Sequence, residues 1–276
     1  VDEGKTPVLA VGLSAIHKAH LAAALGLDTG RPVLVLTDDD NTANRFAADL
    51  RGFSERDIVQ LPSRELVMAD VVGVSRGYEQ RRLAALDELT EAHFAVASVQ
   101  AAAQRTMPPE ALKAAIVSLA TGETAPLDEL AQSLTRAGYE RCVQVEGTGQ
   151  FSIRGGILDV FPPQAEHPYR VEFWDDEIDS ISTFDVGSQR RLEQCECLRC
   201  LPCMESIPAL AKGGAAGLAK AVLALTSTRR KKQHADLQTN LERDAERLRE
   251  TGSLPAADKY MPLIYPEMAT AFDYLP

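Results

Sequence analysis

A chain of 276 residues, 45% hydrophobic and 25% charged, has ordinary globular composition and room for about two domains. Its net charge of -11 makes it a poor general ligand for nucleic acid, where affinity comes mostly from neutralised phosphates. No apolar run approaches the roughly 20 residues that span a bilayer, and Val1-Asp-Glu-Gly-Lys-Thr-Pro7 lacks the basic-then-apolar layout of a secretion signal, so a cytoplasmic protein with no membrane partner is expected.

Residues 1–115 alternate apolar runs with helical patterns. Pro7–Val11 is a buried-strand candidate, and Ser14 is placed to cap a helix through Leu25. Arg31–Thr37, Ile58–Leu61 and His93–Ser98 read as strands. Helices are expected over Asn41–Leu50, Ser75–Thr90 and Val99–Arg105, and Pro108-Pro109 opens another. Alternation of this kind predicts a parallel sheet flanked by helices.

The character changes over residues 116–202. One helix, Pro126–Ala137, ends at Gly138. Strand and turn follow, with Phe151, Ile153, Ile157, Val160, Val171, Phe173, Ile178 and Ile181 as the apolar positions. Arg154-Gly155-Gly156 and Trp174-Asp-Asp-Glu177 sit where hairpin turns belong. An inserted α+β domain with an antiparallel sheet is expected here. Helical pattern returns over Lys212–Leu225 and Gln233–Glu250, and the closing Tyr260–Pro276 segment is apolar and strand-like. Residues 203–276 are expected to fold back onto the first domain.

Gly12-Leu-Ser-Ala-Ile-His-Lys-Ala19 has the register of a phosphate-binding loop, G-x-x-x-x-G-K-[ST]. Gly12 and Lys18 fit. His17 replaces the glycine that lets backbone curl around phosphate, and Ala19 replaces the hydroxyl that holds magnesium. A degenerate nucleotide fold without ATPase activity is the expectation, with no cofactor.

Cys195, Cys197, Cys200 and Cys203 tempt one toward zinc, but known sites separate two cysteine pairs by a long loop. Strand alternation would put Cys195 and Cys197 on one face and Cys200 on the other. Cysteines in a sheet, not a metal site, are expected, and Cys142 is expected in the core. His17, His20, His93, His167 and His234 make no metal spacing. Asp175, Asp176, Glu177 and Asp179 read as a polar turn, and Arg229–Lys232 as a solvated helix start.

What remains is an arginine and aromatic cluster without a catalytic constellation: Arg154, Arg170, Phe173, Trp174 and Asp175. Arginine and tryptophan are the types that most often dominate interfaces. The alternative is that Arg154 and Arg170 pair with Glu172, Asp175 or Asp176 within the sheet and that Trp174 is core.

The segments Gly138–Arg141, Val143–Gly147, Gly149–Pro162, Pro168–Ser180 and Phe184–Arg190 closely resemble the N-terminal module of the bacterial transcription-repair coupling factors. That module is similar to the damage-recognition protein UvrB but lacks its working ATP site. UvrB would show a tyrosine-rich hairpin where Pro62–Asp70 has no tyrosine. The resemblance implies that the inserted domain binds UvrA through Arg154, Arg170, Trp174, Phe173 and Asp175. It also implies that RNA polymerase, DNA and ATP are handled by other domains of a longer translocase. A UvrB-like damaged-DNA helicase fragment is the competing assignment, disfavoured by His17 and Ala19.

Overall fold

The computed structural model describes residues 7–64, 77–227 and 235–276. Its first part runs α1 (Ala15–Thr29), β1 (Val33–Thr37), α2 (Asp40–Arg51), β2 (Ile58–Leu61), α3 (Gly77–Leu89), β3 (Phe94–Ser98), α4 (Val99–Ala103) and α5 (Pro109–Ala115). The three strands are parallel in the order β1-β3-β2, with Phe94 opposite both Val33 and Ile58. Central β3 is buried along its whole length, as a strand covered on both faces must be. Alternate residues divide between the two faces. Ile58, Phe94 and Val96 meet Ala23, Ala43, Ala47 and Leu50 on one side, while Val59, Leu61, Ala95 and Ala97 meet Leu83, Leu86 and Leu89 on the other. Asp39 caps α2 by accepting the Thr42 N–H at 2.7 Å. Close packing of α1 on β3 needs Gly26, where a Cβ would lie 2.5 Å from Phe94 Cε1.

Pro7–Val11 is not a strand. Its backbone joins no ladder, and Val8, Leu9 and Val11 are exposed. An apolar run becomes a strand only where a neighbour takes its N–H and C=O groups. Ser14 stands at the start of α1, but its hydroxyl contacts His17 Nδ1 at 3.1 Å and caps no backbone group. The predicted helix starting at Ser75 is described only from Gly77. Of Pro62–Asp70, residues 65–70 lie outside the described residues, as does Arg229–Lys232.

The strand-rich part comprises β4 (Val117–Ala120), α6 (Leu127–Arg136), β5 (Glu140–Arg141), β6 (Gln150–Arg154), β7 (Ile157–Val160), β8 (Tyr169–Trp174), β9 (Glu177–Phe184), β10 (Arg191–Cys195) and β11 (Cys197–Cys200). Six strands form one sheet in the order β10-β9-β8-β7-β6-β5, antiparallel except for the β5–β6 edge pair. Strands β4 and β11 make a separate antiparallel ribbon. One sheet face carries Phe151, Leu158, Val160, Val171 and Ile181 against Leu130 and Leu134 of α6. Leu158, not Ile157, faces this core, because the Arg154↔Ile157 pairing sends Ile157 to the opposite face.

The cysteines depart from expectation. The chain leaves the large sheet at Glu196 and starts a new ribbon, so Cys195 and Cys197 do not share a face. Cys195 packs against the core, Cys197 is exposed, and Cys200 and Cys203 are buried. Cys142 is half-buried at the sheet edge, outside the core, with its thiol 3.3 Å from the Phe151 carbonyl.

After the ribbon come α7 (Gly214–Ser227), α8 (Ala235–Thr251) and α9 (Met261–Ile264). The closing segment is not a strand. Pro262 and Pro266 interrupt it, and it forms α9 and short 3-10 turns at Ala257–Tyr260 and Ala271–Tyr274. Its apolar side chains Met261, Ile264, Tyr265 and Tyr274 join the cluster that holds Leu83, Leu86 and Ala95. Within that cluster's surroundings lies a buried charge group. Glu205 Oε1 is 3.6 Å from Arg82 Nε, and Glu205 Oε2 is 3.4 Å from Arg64 Nη1. Thr106 donates its hydroxyl to the same carboxylate.

Candidate docking site

The β6–β7 and β8–β9 hairpins build the site. Each turns through two residues, Gly155-Gly156 and Asp175-Asp176, and both tips lie at the same end of the sheet. The tips are tied together where the Phe173 N–H donates to the Gly156 carbonyl at 2.8 Å. A Cβ on Gly156 would stand 3.0 Å from the Phe173 oxygen, a tight contact that favours glycine there. Asp175 takes a left-handed φ of 59°, a conformation aspartate tolerates better than most residues.

Pairing across the strands sets one polar row: Ser152, Asp159, Arg170 and Ser182 lie opposite one another in turn. Side chains two residues along, Arg154 and Glu172, share that face. Asp159 is 1% exposed. It accepts from Arg170 Nε at 2.7 Å and Nη2 at 2.9 Å, and from Arg154 Nη2 at 2.8 Å. Arg170 also lies over the Phe184 ring, Cζ 4.6 Å from its centroid, with Nη2 3.3 Å from Gln189 Oε1. The hydrogen bonds that Arg170 donates to Asp159 hold its guanidinium above its ordinary pKa, against a smaller opposing effect of burial. Glu172 is taken separately. Ser180 donates to it at 2.8 Å and Arg191 pairs with it at 2.8 Å, and those contacts, Ser180 first, lower its pKa.

The structure thus brings Arg154 and Arg170 onto one carboxylate that sequence reasoning did not single out. Glu172, Asp175 and Asp176 are not the partners. The available signal was a lone acid inside the apolar strand Ile157–Val160, which a chain seldom buries without a cation opposite. Trp174 is not core: at 82% exposure it stands free at the hairpin tip beside Asp175. Phe173 turns the other way and packs, half-buried, against the core of the sheet.

The residues expected to form a degenerate phosphate loop sit elsewhere. Gly12 precedes α1 with open space around it, His17 and Lys18 are exposed on the first turns, and Ala19 is buried on the helix's inner side. Among the described residues no group of three or more His, Cys, Asp or Glu side chains could hold a metal ion. No described helix is long and apolar enough to cross a membrane.

Residues 117–205, the span that carries this sheet, match the family described as the UvrB interaction domain. Over its full length the chain is 33% identical to the transcription-repair-coupling factor of Bacillus subtilis, across 286 aligned residues that are 24% of that protein. It is 36% identical to the factor of Mycobacterium bovis over 67% of the chain, and 32% identical to that of Escherichia coli over 68%. The chain belongs to the transcription-repair-coupling factor family. It spans about a quarter of the length of the Bacillus relative.

Proposed function

We propose that this chain is a non-catalytic docking module whose hairpin face binds UvrA, recruiting excision repair to a stalled RNA polymerase. The observation that carries it is the exposed end of the β6–β9 sheet. There two arginines are fixed on one buried carboxylate, beside a tryptophan that the fold itself does not use. Arginine held in place and exposed aromatic area are what interface hot spots are made of. Arg154, Arg170, Trp174 and Asp175 form this contact, with Phe173 supporting it from the core side.

On this proposal residues 1–115 and 203–276 form a degenerate P-loop-like body, and residues 116–202 are the inserted UvrA-binding domain. Nucleotide chemistry is absent from the body. Among the described residues no strand leads into Gly12, His17 carries a side chain where phosphate would need bare backbone, and Ala19 is turned inward. ATP hydrolysis, DNA translocation and polymerase contact then belong to other parts of a longer, cytoplasmic protein.

The immobilised chain is expected to retain UvrA in a pull-down and to leave duplex DNA in solution in a filter-binding assay. Failure to retain UvrA would remove the proposal. Melting with ATP and magnesium tests the silent loop: no change is expected, and a magnesium-dependent rise at micromolar ATP would contradict it.

A further inference from the structure

Asp159 sits in the middle of β7 with its carboxylate 2% exposed. Burial of such a group is costly unless it is paired and hydrogen-bonded. Both requirements are met by two residues that belong to the docking face rather than to the core. Arg170 is held three ways: by two bonds to Asp159, by the Phe184 ring beneath it, and by Gln189 at its edge. Arg154 is held by one bond, through Nη2, and half of its side chain stays exposed. Two guanidinium charges against one carboxylate leave the trio at +1. The neighbouring acid on the same face, Glu172, also attracts Arg170, but it is bonded by Ser180 and paired with Arg191, so the three arginines and two carboxylates together still carry +1.

A free surface arginine samples many rotamers and loses that freedom when it binds. One locked beforehand on a buried anion does not, and pre-organisation of this kind is converted directly into affinity. We propose that Asp159 is the positioning residue of the docking face, holding Arg154 and Arg170 so that their outward N–H groups receive an acidic side chain of UvrA. The inference rests on the UvrA-docking function above. Asp159 itself touches no partner. It acts through the two arginines, and the partner's carboxylate completes a charge network that is one anion short in the free chain. Planar guanidinium groups suit this: Arg154, bonded only through Nη2, keeps a two-bond edge for a carboxylate, and Arg170, whose Nε and Nη2 are engaged, offers Nη1 beside it.

The test is calorimetric titration of UvrA into four versions of the chain: wild type, Asp159→Asn, Arg154→Ala/Arg170→Ala, and the triple variant. Asp159→Asn keeps the size of the side chain and removes its charge. It is expected to keep the wild-type circular dichroism spectrum and to bind UvrA about tenfold more weakly. In the arginine-free background the same change is expected to alter affinity less than twofold, because nothing is left to position. Asp159→Glu retains the charge one methylene further out and is expected to recover part of the lost affinity. If Asp159→Asn does not fold, Asp159→Glu carries the comparison and is expected to bind several-fold more weakly than wild type. Wild-type affinity in whichever variant is folded overturns the inference alone, as does a full tenfold loss in the arginine-free background. Absence of binding by the wild-type chain removes the docking function, and this inference with it.

Discussion

Arg170 and Asp159 face each other across β8 and β7 and share two hydrogen bonds of 2.7 and 2.9 Å. Bidentate pairing of this kind is stronger and more directional than a single ion contact. It explains why a residue at a sheet surface, 19% exposed, is held so firmly. The two guanidinium groups on Asp159 are therefore ordered in the free chain.

Replacing Arg154 or Arg170 by alanine should weaken UvrA binding by roughly 2 kcal/mol or more each. The two variants should differ in stability. Arg154 is half exposed and bonds Asp159 once, so its loss should be mild. Loss of Arg170 strips two bonds from a buried carboxylate and should cost about 1–3 kcal/mol. Urea unfolding of both variants, beside calorimetry with UvrA, separates the two effects.

Trp174 offers the opposite combination. Its side chain is exposed and contributes little to packing, so Trp174→Ala should change stability by no more than about 0.5 kcal/mol. Affinity for UvrA should fall by about 2 kcal/mol. An unchanged affinity would take the hairpin tip out of the interface.

Glu205 balances Arg64 and Arg82 in the interior of the first part of the fold. Glu205→Gln would leave two buried guanidinium groups with too little negative charge. Breaking a buried pair from one side costs about 3–5 kcal/mol, so a large drop in the urea midpoint is expected. A near-neutral result would mean that water reaches this cluster.

Alkaline pH should destabilise the chain. Burial pushes the Cys200 thiol from 9.0 up to about 12, and burial also raises the phenols of Tyr139 and Tyr265. In each case the folded state favours the neutral form. Their contribution is therefore complete below the unfolded pKa, near 9 for the thiol, and is lost as pH rises toward the folded value. Thermal melts between about pH 8 and 11 should show a falling midpoint. A thiol reagent at pH 8 should modify exposed Cys197 well before Cys200.

Much of the fold was legible in the sequence because periodicity reports burial directly. Ile58–Leu61 is a strand over the residues its pattern marks, and the hairpin turns at Gly155-Gly156 and Asp175-Asp176 follow from turn chemistry. Pro7–Val11 and the closing segment misled for one reason. An apolar run reports that side chains are oily, not that a backbone partner is in reach. The split of Cys195 from Cys197 depends on a strand leaving its sheet, which no residue pattern marks. At the candidate docking face Arg154, Arg170 and Trp174 stood out by their chemistry. Asp159 did not, because its meaning lies in the register that sets it opposite Arg170, and register across a long connection is a tertiary fact.

The central claim is that this face docks UvrA through pre-ordered arginines. Calorimetric titration of purified UvrA into the wild-type chain and into its folded Arg154→Ala and Arg170→Ala variants tests it most directly. The account predicts saturable binding by the wild type and a loss of affinity of about thirtyfold or more in each variant. Wild-type affinity in both folded variants, or no binding at all, would contradict it.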